Sequence, residues 1–411
     1  MSCDLTVNER HGLNVMWKTV SNYCNLACDY CYFNGCNGMK AEEVKIQTHL
    51  LQKFIKQYMK GVNKVASFAW QGGEPLLAGL DFFYDVVEMQ VAFAPPHTSI
   101  NNVIQTNGTL INEQWARFFK QYNFLVGVSI DGPPEIHDRH RTYSSGAGSY
   151  EAVMRGIDWL RKYEVDFNIL TVIHEENVQL ADQLMQFYEQ EHFTYVQWIP
   201  AMNFKAQDNS NTVDYFISPA SYGNFLCDAF DIWIKEGQPK TSIRVFDNLL
   251  THHMNHPPEL CIHQESCPKT LVIESNGDVY PCDFYMHESF KLGNVDEDSL
   301  SAILTHPKYA EFLDLKSTLP ETCRSCEYLS LCHGGCPRNR RWISGKITNP
   351  DYFCTSYRQL YAHSQEKLSS LAQKIRQEWK HDWVESGHSL PARNESCFCG
   401  SGLKFKKCCG R

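Results

Sequence analysis

The stretch Cys24-Asn25-Leu26-Ala27-Cys28-Asp29-Tyr30-Cys31 decides how this chain of 411 residues is understood. Its three cysteines, spaced CxxxCxxC, follow directly on a β-rich run, VMWKTVS at 15–21. A [4Fe-4S] cube takes four thiolates, one per iron, so three in one tight loop hold the cube and leave one iron open to a substrate or cofactor. The alternative, a structural zinc site, wants a fourth ligand. Cys36 is the nearest candidate for it and is taken as a bystander.

From this loop outward, short β-rich runs alternate with amphipathic stretches. After VMWKTVS come a helix over 41–60, VASFAWQ, a helix near 79–92, NNVIQT and a helix near 112–121. LVGVSI, a helix near 149–162, FNILTVI, a helix near 176–190, TYVQWI and a helix near 219–235 complete the series. Six strands and six helices in alternation predict an α/β fold built on a parallel sheet. Six units do not close an eight-fold barrel, so the expected form is an open, partial (β/α)6 barrel. The cysteine loop then lies at its carboxyl-end mouth, where such folds place their chemistry.

After about residue 255 the texture changes to cysteine-rich loops and hairpins, and LVIESNGDVYPC carries an Asn276-Gly277 turn signal. A helix over about 356–385 follows, then the polar linker ESGHSLPARNES and the compact tail CFCGSGLKFKKCCGR. The net charge of -9 argues against a nucleic-acid or anionic-membrane partner, which would need a positive surface. No basic segment leading into an apolar core opens the sequence, and no apolar run nears the ~18 residues of a membrane span, so a cytoplasmic protein is expected. In a chain of this size, eighteen cysteines point to metal rather than to a disulfide framework.

The CxxxCxxC loop with Tyr30 before its last cysteine resembles the signature of the radical S-adenosylmethionine superfamily. Three further segments agree with that resemblance: Gly72-Gly73-Glu74-Pro75 after the second strand, Gln105-Thr106-Asn107-Gly108 after the third, and Ser129 with Asp131 after the fourth. The resemblance implies that the open iron is chelated by the amino and carboxylate groups of the cofactor's methionine. It also implies that the Gly72, Gly73, Glu74 turn holds the amino group and that Ser129 and Arg141 hold the carboxylate, with Arg139 and Arg155 as alternative arginines. Tyr30 belongs to the same cofactor set.

A second group comprises Cys261, Cys267, Cys282, Cys323, Cys326, Cys332, Cys336 and Cys354. Eight thiolates are the complement of two fully ligated [4Fe-4S] clusters, although two zinc ions would also use eight. The CxxC-x5-CxxxC block resembles the SPASM domain, which assigns Cys261, Cys267, Cys282 and Cys336 to one auxiliary cluster and Cys323, Cys326, Cys332 and Cys354 to the other. The segments ESNGDVYPCDFY, CHGGCPR, WQGGEP, LAGLDFF, IQTNGTLI, FLVGVSIDGP and FNILTV resemble, more narrowly, the anaerobic sulfatase-maturating enzymes, over about residues 13–360.

That resemblance implies oxidation of a cysteine or serine in an unfolded sulfatase segment, of CxPxR or SxPxR type, to Cα-formylglycine. A 5'-deoxyadenosyl radical takes the Cβ hydrogen, Asp283 takes the thiol or hydroxyl proton, and an auxiliary cluster takes the remaining electron. A free carboxylate and a free thiol differ in pKa by enough to make that proton transfer uphill by roughly 6 kcal/mol, so Asp283 must be tuned or the thiol acidified. A flavodoxin- or ferredoxin-type donor is the implied source of the initiating electron.

The tail places Cys397, Cys399, Cys408 and Cys409 within thirteen residues, a set suited to a structural zinc ion that folds an otherwise coreless segment. It resembles the SEC-C motif, which implies contact with an export chaperone, and Lys404, Lys406 and Lys407 give it a basic face. Cys3 and Cys227 are taken as ordinary thiols. The expected domains are a radical cofactor core at 13–240, a SPASM domain at 255–370, the helix end and linker at 371–392 and the SEC-C motif at 393–411. Two other readings stand beside this one: a SPASM enzyme forming a thioether or carbon-carbon crosslink in a small peptide, and an iron-sulfur or zinc scaffold or electron carrier linked to protein export.

Overall fold

The computed structural model describes residues 13–33, 45–201, 217–235, 237, 239–340, 342–343, 346–347 and 349–410. In chain order its principal strands are β1 (Asn14–Lys18), β2 (Val65–Gln71), β3 (Ser99–Thr106), β4 (Phe124–Ser129), β5 (Phe167–Ile173), β6 (Tyr195–Pro200), β7 (Ser242–Ile243), β8 (Thr270–Ile273), β9 (Asp278–Tyr280) and β10 (Gly293–Asn294). The principal helices are α1 (Thr48–Lys60), α2 (Leu80–Phe93), α3 (Glu113–Gln121), α4 (Pro134–His140), α5 (Tyr150–Lys162), α6 (Ala181–Gln190), α7 (Pro219–Ile234) and α8 (Arg244–His253). A long helix, Cys354–Glu385, precedes the tail.

The chain divides into two compact units, the first made of residues 1–173, 201–216 and 268–315. Here β1 to β5 pair in parallel and in sequence order, the arrangement of successive right-handed βα crossovers. The strands alternate buried and exposed side chains, and the helices bury one stripe each, so the aromatic residues of both meet in one layer. Phe83 of α2 lies at its centre, edge-on to Trp70, Trp115, Phe118 and Phe124 at centroid separations of 5.5–6.4 Å. Each such buried ring contributes about 1.5–3 kcal/mol relative to exposure. Helix α3 starts where the Asn112 side chain accepts from the Trp115 amide at 3.1 Å, satisfying one of the amides the first turn leaves open.

The second unit comprises residues 174–200, 217–267 and 316–411. In it β6 and β7 pair in parallel, and Trp198 of β6 packs on Phe225 of α7 and Phe246 of α8. The long helix lies on α7, with Ser356 donating to the Pro219 carbonyl at 2.5 Å and Tyr357 edge-on to Tyr222.

The hairpin carrying Asn276-Gly277 forms as expected, with Val272 opposite Tyr280 and Gly277 at φ +89°. Its first strand, β8, pairs in parallel with β1, Val15 opposite Leu271 and Trp17 opposite Ile273. The reason is the open edge of β1, whose amides and carbonyls need partners and find them in β8. Helix α1 begins at Thr48, later than the expected 41, and residues 41–44 lie outside those described. Helices α4 and α8 were not expected. Among the described residues, no helix is long and apolar enough to cross a membrane.

Candidate active site

The three-cysteine loop leaves the carboxyl end of β1 and is pinned on two sides. On one side the Glu74 amide donates to the Tyr23 carbonyl at 2.9 Å, and a Cβ on Gly73 would lie 2.0 Å from that same oxygen. Gly73 is also at φ +49°, so only glycine lets the two loops close this tightly. On the other side the Ala27 amide donates to the Thr142 carbonyl at 2.7 Å and Asp29 pairs with His140 at 2.9 Å. Cys24, Cys28 and Cys31 are all half-buried. Burial, with Glu74 and the neighbouring thiols adding, pushes Cys24 up to about 12; burial likewise pushes Cys28 up to about 11, against the pull of Arg141. Crowded thiols of this kind ionise in company with a cation, which is the chemistry of an iron-sulfur ligand set.

Glu74 is completely buried, and its carboxylate is filled by the protein itself. One oxygen accepts from the Leu76 amide at 3.0 Å and the Thr106 hydroxyl at 2.7 Å, the other from the Asn107 amide at 2.8 Å. Burial outweighs these donors and raises its pKa to about 7. The acid thereby ties the end of β2 to the end of β3. Asn107 extends the tie to the cysteine loop, its Nδ2 donating to Asn25 Oδ1 at 2.8 Å and approaching Cys24 Sγ at 3.8 Å. Ser129, nearly buried at the end of β4, accepts from Gln105 Nε2 at 3.0 Å.

Of the three candidate arginines, Arg141 alone is buried; Arg139 and Arg155 are exposed. Arg141 Nε donates to Asp131 at 2.9 Å, and its guanidinium lies 5.5 Å from the centre of the Tyr30 ring, whose hydroxyl donates to the same carboxylate. Burial opposes ionisation of Asp131, but the adjacent Arg141 holds its carboxyl below the usual range. Buried Asp131 and Arg141 and half-buried Tyr30 thus form one group beside Cys28, and sequence reading marks Asp131 only as a neighbour of Ser129.

Asp283 comes to the same loop. Its carboxylate accepts from the hydroxyl of Tyr32, the residue directly after Cys31, and forms an ion pair with Lys18, the last residue of β1. Lys18 is fully buried, with its ammonium 4.4 Å from the Phe33 ring centre, and a Cβ on Gly72 would strike its side chain at 2.8 Å. Neither Lys18 nor Tyr32 was singled out from sequence. The signal available was a lysine closing an apolar strand, which asks for a buried partner.

In the second unit, Cys323, Cys326, Cys332 and Cys354 line one cavity of about 310 Å³ together with Asp351, Tyr328 and Tyr361. Cys261, Cys267 and Cys336 form a separate neighbourhood, where burial and the two neighbouring thiols push Cys267 up to about 12. In the tail, the sulfurs of Cys397, Cys399, Cys408 and Cys409 all lie within 4.8 Å of one another, with Cys397 to Cys399 at 3.3 Å and Cys408 to Cys409 at 3.9 Å. Against the effect of burial, the backbone amides of Cys399 and Cys409 bring Cys397 down to about 7. Four ligands at about 2.3 Å from a tetrahedral zinc would sit roughly 3.8 Å apart. Cys36 and Cys3 lie outside the described residues; Cys227 is a buried thiol on α7.

Residues 19–188 match the model of the radical SAM superfamily, 261–327 that of the SPASM iron-sulfur cluster-binding domain and 393–411 that of the SEC-C motif. Fold and site together define a radical S-adenosylmethionine oxidoreductase with an auxiliary iron-sulfur domain. The chain is 34% identical over 368 residues to a cysteine-type anaerobic sulfatase-maturating enzyme of Clostridium novyi, covering 89% of this chain and 98% of that one. It is 36% identical over 370 residues to a serine-type anaerobic sulfatase-maturating enzyme of Bacteroides thetaiotaomicron, covering 85% and 89%. Its structure superposes on that of anSMEcpe with bound AdoMet and Kp18Cys peptide with a TM-score of 0.82 at 33% identity, covering 88% of this chain and 99% of that one. The chain belongs to the family of anaerobic sulfatase-maturating enzymes.

Proposed function

We propose that this protein converts a cysteine or serine of an unfolded sulfatase segment, of CxPxR or SxPxR type, to Cα-formylglycine. The observation that carries the proposal is the placement of Asp283 against the loop of Cys24, Cys28 and Cys31 through Tyr32 and Lys18. When bound, S-adenosylmethionine and its cluster supply the radical that removes a hydrogen from the target's Cβ. Cys24, Cys28 and Cys31 would hold that cluster. The backbone of Gly72 and Gly73 would receive the cofactor's amino group, with Glu74 fixing the turn from behind. Ser129 and Arg141 would face its carboxylate, and Asp131 and Tyr30 set the plane of the guanidinium, whose fork suits a carboxylate.

Asp283 would accept the thiol or hydroxyl proton. Lys18 and Tyr32 hold its two oxygens in fixed directions, so the acid meets the substrate without a reorganisation cost. Oxidising CH2–SH or CH2–OH to the thioaldehyde or aldehyde removes one hydrogen atom, one proton and one electron, and the thioaldehyde then exchanges sulfur for water. The four thiols around the 310 Å³ cavity form a space and a soft donor set that suit a four-iron cluster, with Cys261, Cys267, Cys336 and Cys282 assigned to the other auxiliary centre. The tail's close thiol quartet suits zinc. A cytoplasmic location, a flavodoxin- or ferredoxin-type donor and an export chaperone at the SEC-C tail belong to the same proposal, as do the domain limits 13–240, 255–370, 371–392 and 393–411.

The test is mass spectrometry of a CxPxR peptide after anaerobic incubation with reconstituted enzyme, reductant and S-adenosylmethionine. Loss of sulfur with gain of an aldehyde is the expected result, and Asp283→Asn should form 5'-deoxyadenosine with little aldehyde. Formation of 5'-deoxyadenosine by the unaltered enzyme with an unchanged peptide would sink the substrate assignment.

A further inference from the structure

Two fully buried cations lie among the cysteines of the second unit, and the chemistry above leaves both unused. Lys316 is 1% exposed, and so is Arg340. The Lys316 ammonium donates to the Cys261 carbonyl, and its charge acts on Cys261, Cys267, Cys336 and Cys332. Arg340 holds the lysine's own backbone in place: its Nη2 donates to the Lys316 carbonyl at 3.3 Å, its Nη1 to Thr318 O at 3.0 Å and its Nε to Gly334 O at 3.0 Å. It acts in turn on Cys267 and Cys323.

Arg338 adds a further positive charge acting on Cys336, and Glu265 acts on His333. Asp351 spends its oxygens on the Cys336 amide at 2.9 Å, the Phe353 amide at 2.9 Å and Asn339 Nδ2 at 3.0 Å, which shapes the loop. His263 and His333 face Lys316, and burial favours their neutral forms. Among the described residues no carboxylate pairs with Lys316, and a buried ammonium is costly unless negative charge comes with the bound group. The donor set fits an iron-sulfur centre, whose thiolate-ligated core is anionic and gains a further negative charge when reduced.

We propose that Lys316 is the charge that sets the reduction potential of the auxiliary centre to which Cys261, Cys267 and Cys336 contribute, raising it so that the centre takes up the electron left by substrate oxidation. The proposal rests on the assignment of those cysteines as cluster ligands. Lys316 acts as a positioning charge; it touches neither substrate nor the reacting atoms. The electron balance is that of one-electron reduction: the substrate radical, after losing its proton to Asp283, gives up one electron as its C=S or C=O bond forms, and the oxidised centre gains it. A nearby positive charge favours the reduced form by Coulomb attraction in a medium of low effective dielectric constant.

The experiment is an anaerobic redox titration followed by electron paramagnetic resonance on the fully loaded enzyme, comparing the natural protein with Lys316→Met and Lys316→Arg. The expected result is that K316M lowers the ratio of reduced to oxidised auxiliary centre at least tenfold at fixed potential, a shift of about 59 mV for one electron. K316R should stay near the natural value, and the centre on Cys24, Cys28 and Cys31 should not move. An unshifted K316M centre would overturn the proposal, as would loss of the centre from both variants, since charge would then not be what the site requires. Loss from K316M with retention in K316R would overturn it too, since the charge would then assemble the centre rather than set its potential. Iron content separates this from failure of the ligand assignment: if Cys261→Ala with Cys267→Ala binds as much iron as the natural protein, the assignment itself falls and the proposal with it.

Discussion

The cysteines around the 310 Å³ cavity and those of the tail are both sets of four, yet they are held in opposite ways. Cys323, Cys326, Cys332 and Cys354 stand around a space that Asp351, Tyr328 and Tyr361 also line. Cys397, Cys399, Cys408 and Cys409 close on one another, and the unit is small enough that its core is three of those cysteines with Phe398 and Phe405 at the margin. One set is shaped by the fold around it; the other makes up most of the small core of its own segment. The comparison teaches that thiol count does not name a metal centre. The spacing between sulfurs, and what maintains it, does.

The largest effect expected from this difference comes from emptying the cavity. Cys323→Ala with Cys354→Ala should remove one cluster's iron and reduce formylglycine formation by about 100-fold or more, a loss of ~2.7 kcal/mol, while leaving zinc in the tail. Elemental analysis and peptide mass spectrometry read the two together; loss of zinc along with iron would break the comparison.

Next is Glu74, which gives the three-cysteine loop its outside support. Its folded pKa of about 7 lies above its ordinary 4.5, so its contribution to stability is full below pH 4.5 and is lost as pH rises toward 7. Glu74→Gln should flatten that part of the stability–pH curve, measured as urea midpoints at pH 5 and pH 7.5. It should also cost about 1–3 kcal/mol, because the new amide nitrogen meets the Asn107 N–H in place of an acceptor. An unchanged slope would show that Glu74 does not titrate in that window.

Cys408→Ser should release zinc and expose the tail to protease while turnover of a short peptide stays within about twofold of normal, since the cavity does not rely on the tail. The smallest effect is expected at Trp383, which stacks at 5.0 Å on Phe398 and at 4.3 Å on His388, fastening the tail to the long helix. Trp383→Ala should weaken that attachment by about 1 kcal/mol, seen as faster hydrogen exchange across 395–408 with zinc retained. Deleting 391–411 should lower maturation of an exported sulfatase in cells and leave the peptide reaction intact; equal activity in both settings would remove the tail from the delivery of substrate.

Much of this was legible in the chain. VASFAWQ and FNILTVI are strands to the residue, because β-branched and aromatic side chains alternating in and out suit a pleated sheet under helices. The helix ends near 93, 121 and 162 follow from where apolar periodicity stops. Helix α4 escaped notice because HDRHR is polar and short, and its helicity comes from packing rather than pattern; α8 carries Val245, Phe246 and Leu249 at helical spacing and was legible. Lys18 and Lys316 escaped for a related reason: a lysine carries no local sign that it is buried, and burial is decided by what the fold brings to it.

The sequence by itself determined the six alternating strands and helices of the first 235 residues, the three cysteine groups and the family, since these depend on residue type and spacing along one chain. Tertiary structure alone decided that Asp283 answers to Tyr32 and Lys18, that Arg141 rather than Arg139 or Arg155 is the buried cation, and that β8 completes the edge beside β1. Pairings of this kind join residues as far as 265 positions apart, as Lys18 and Asp283 show. Their energy comes from shared burial and direct contact, neither of which exists until the chain has folded.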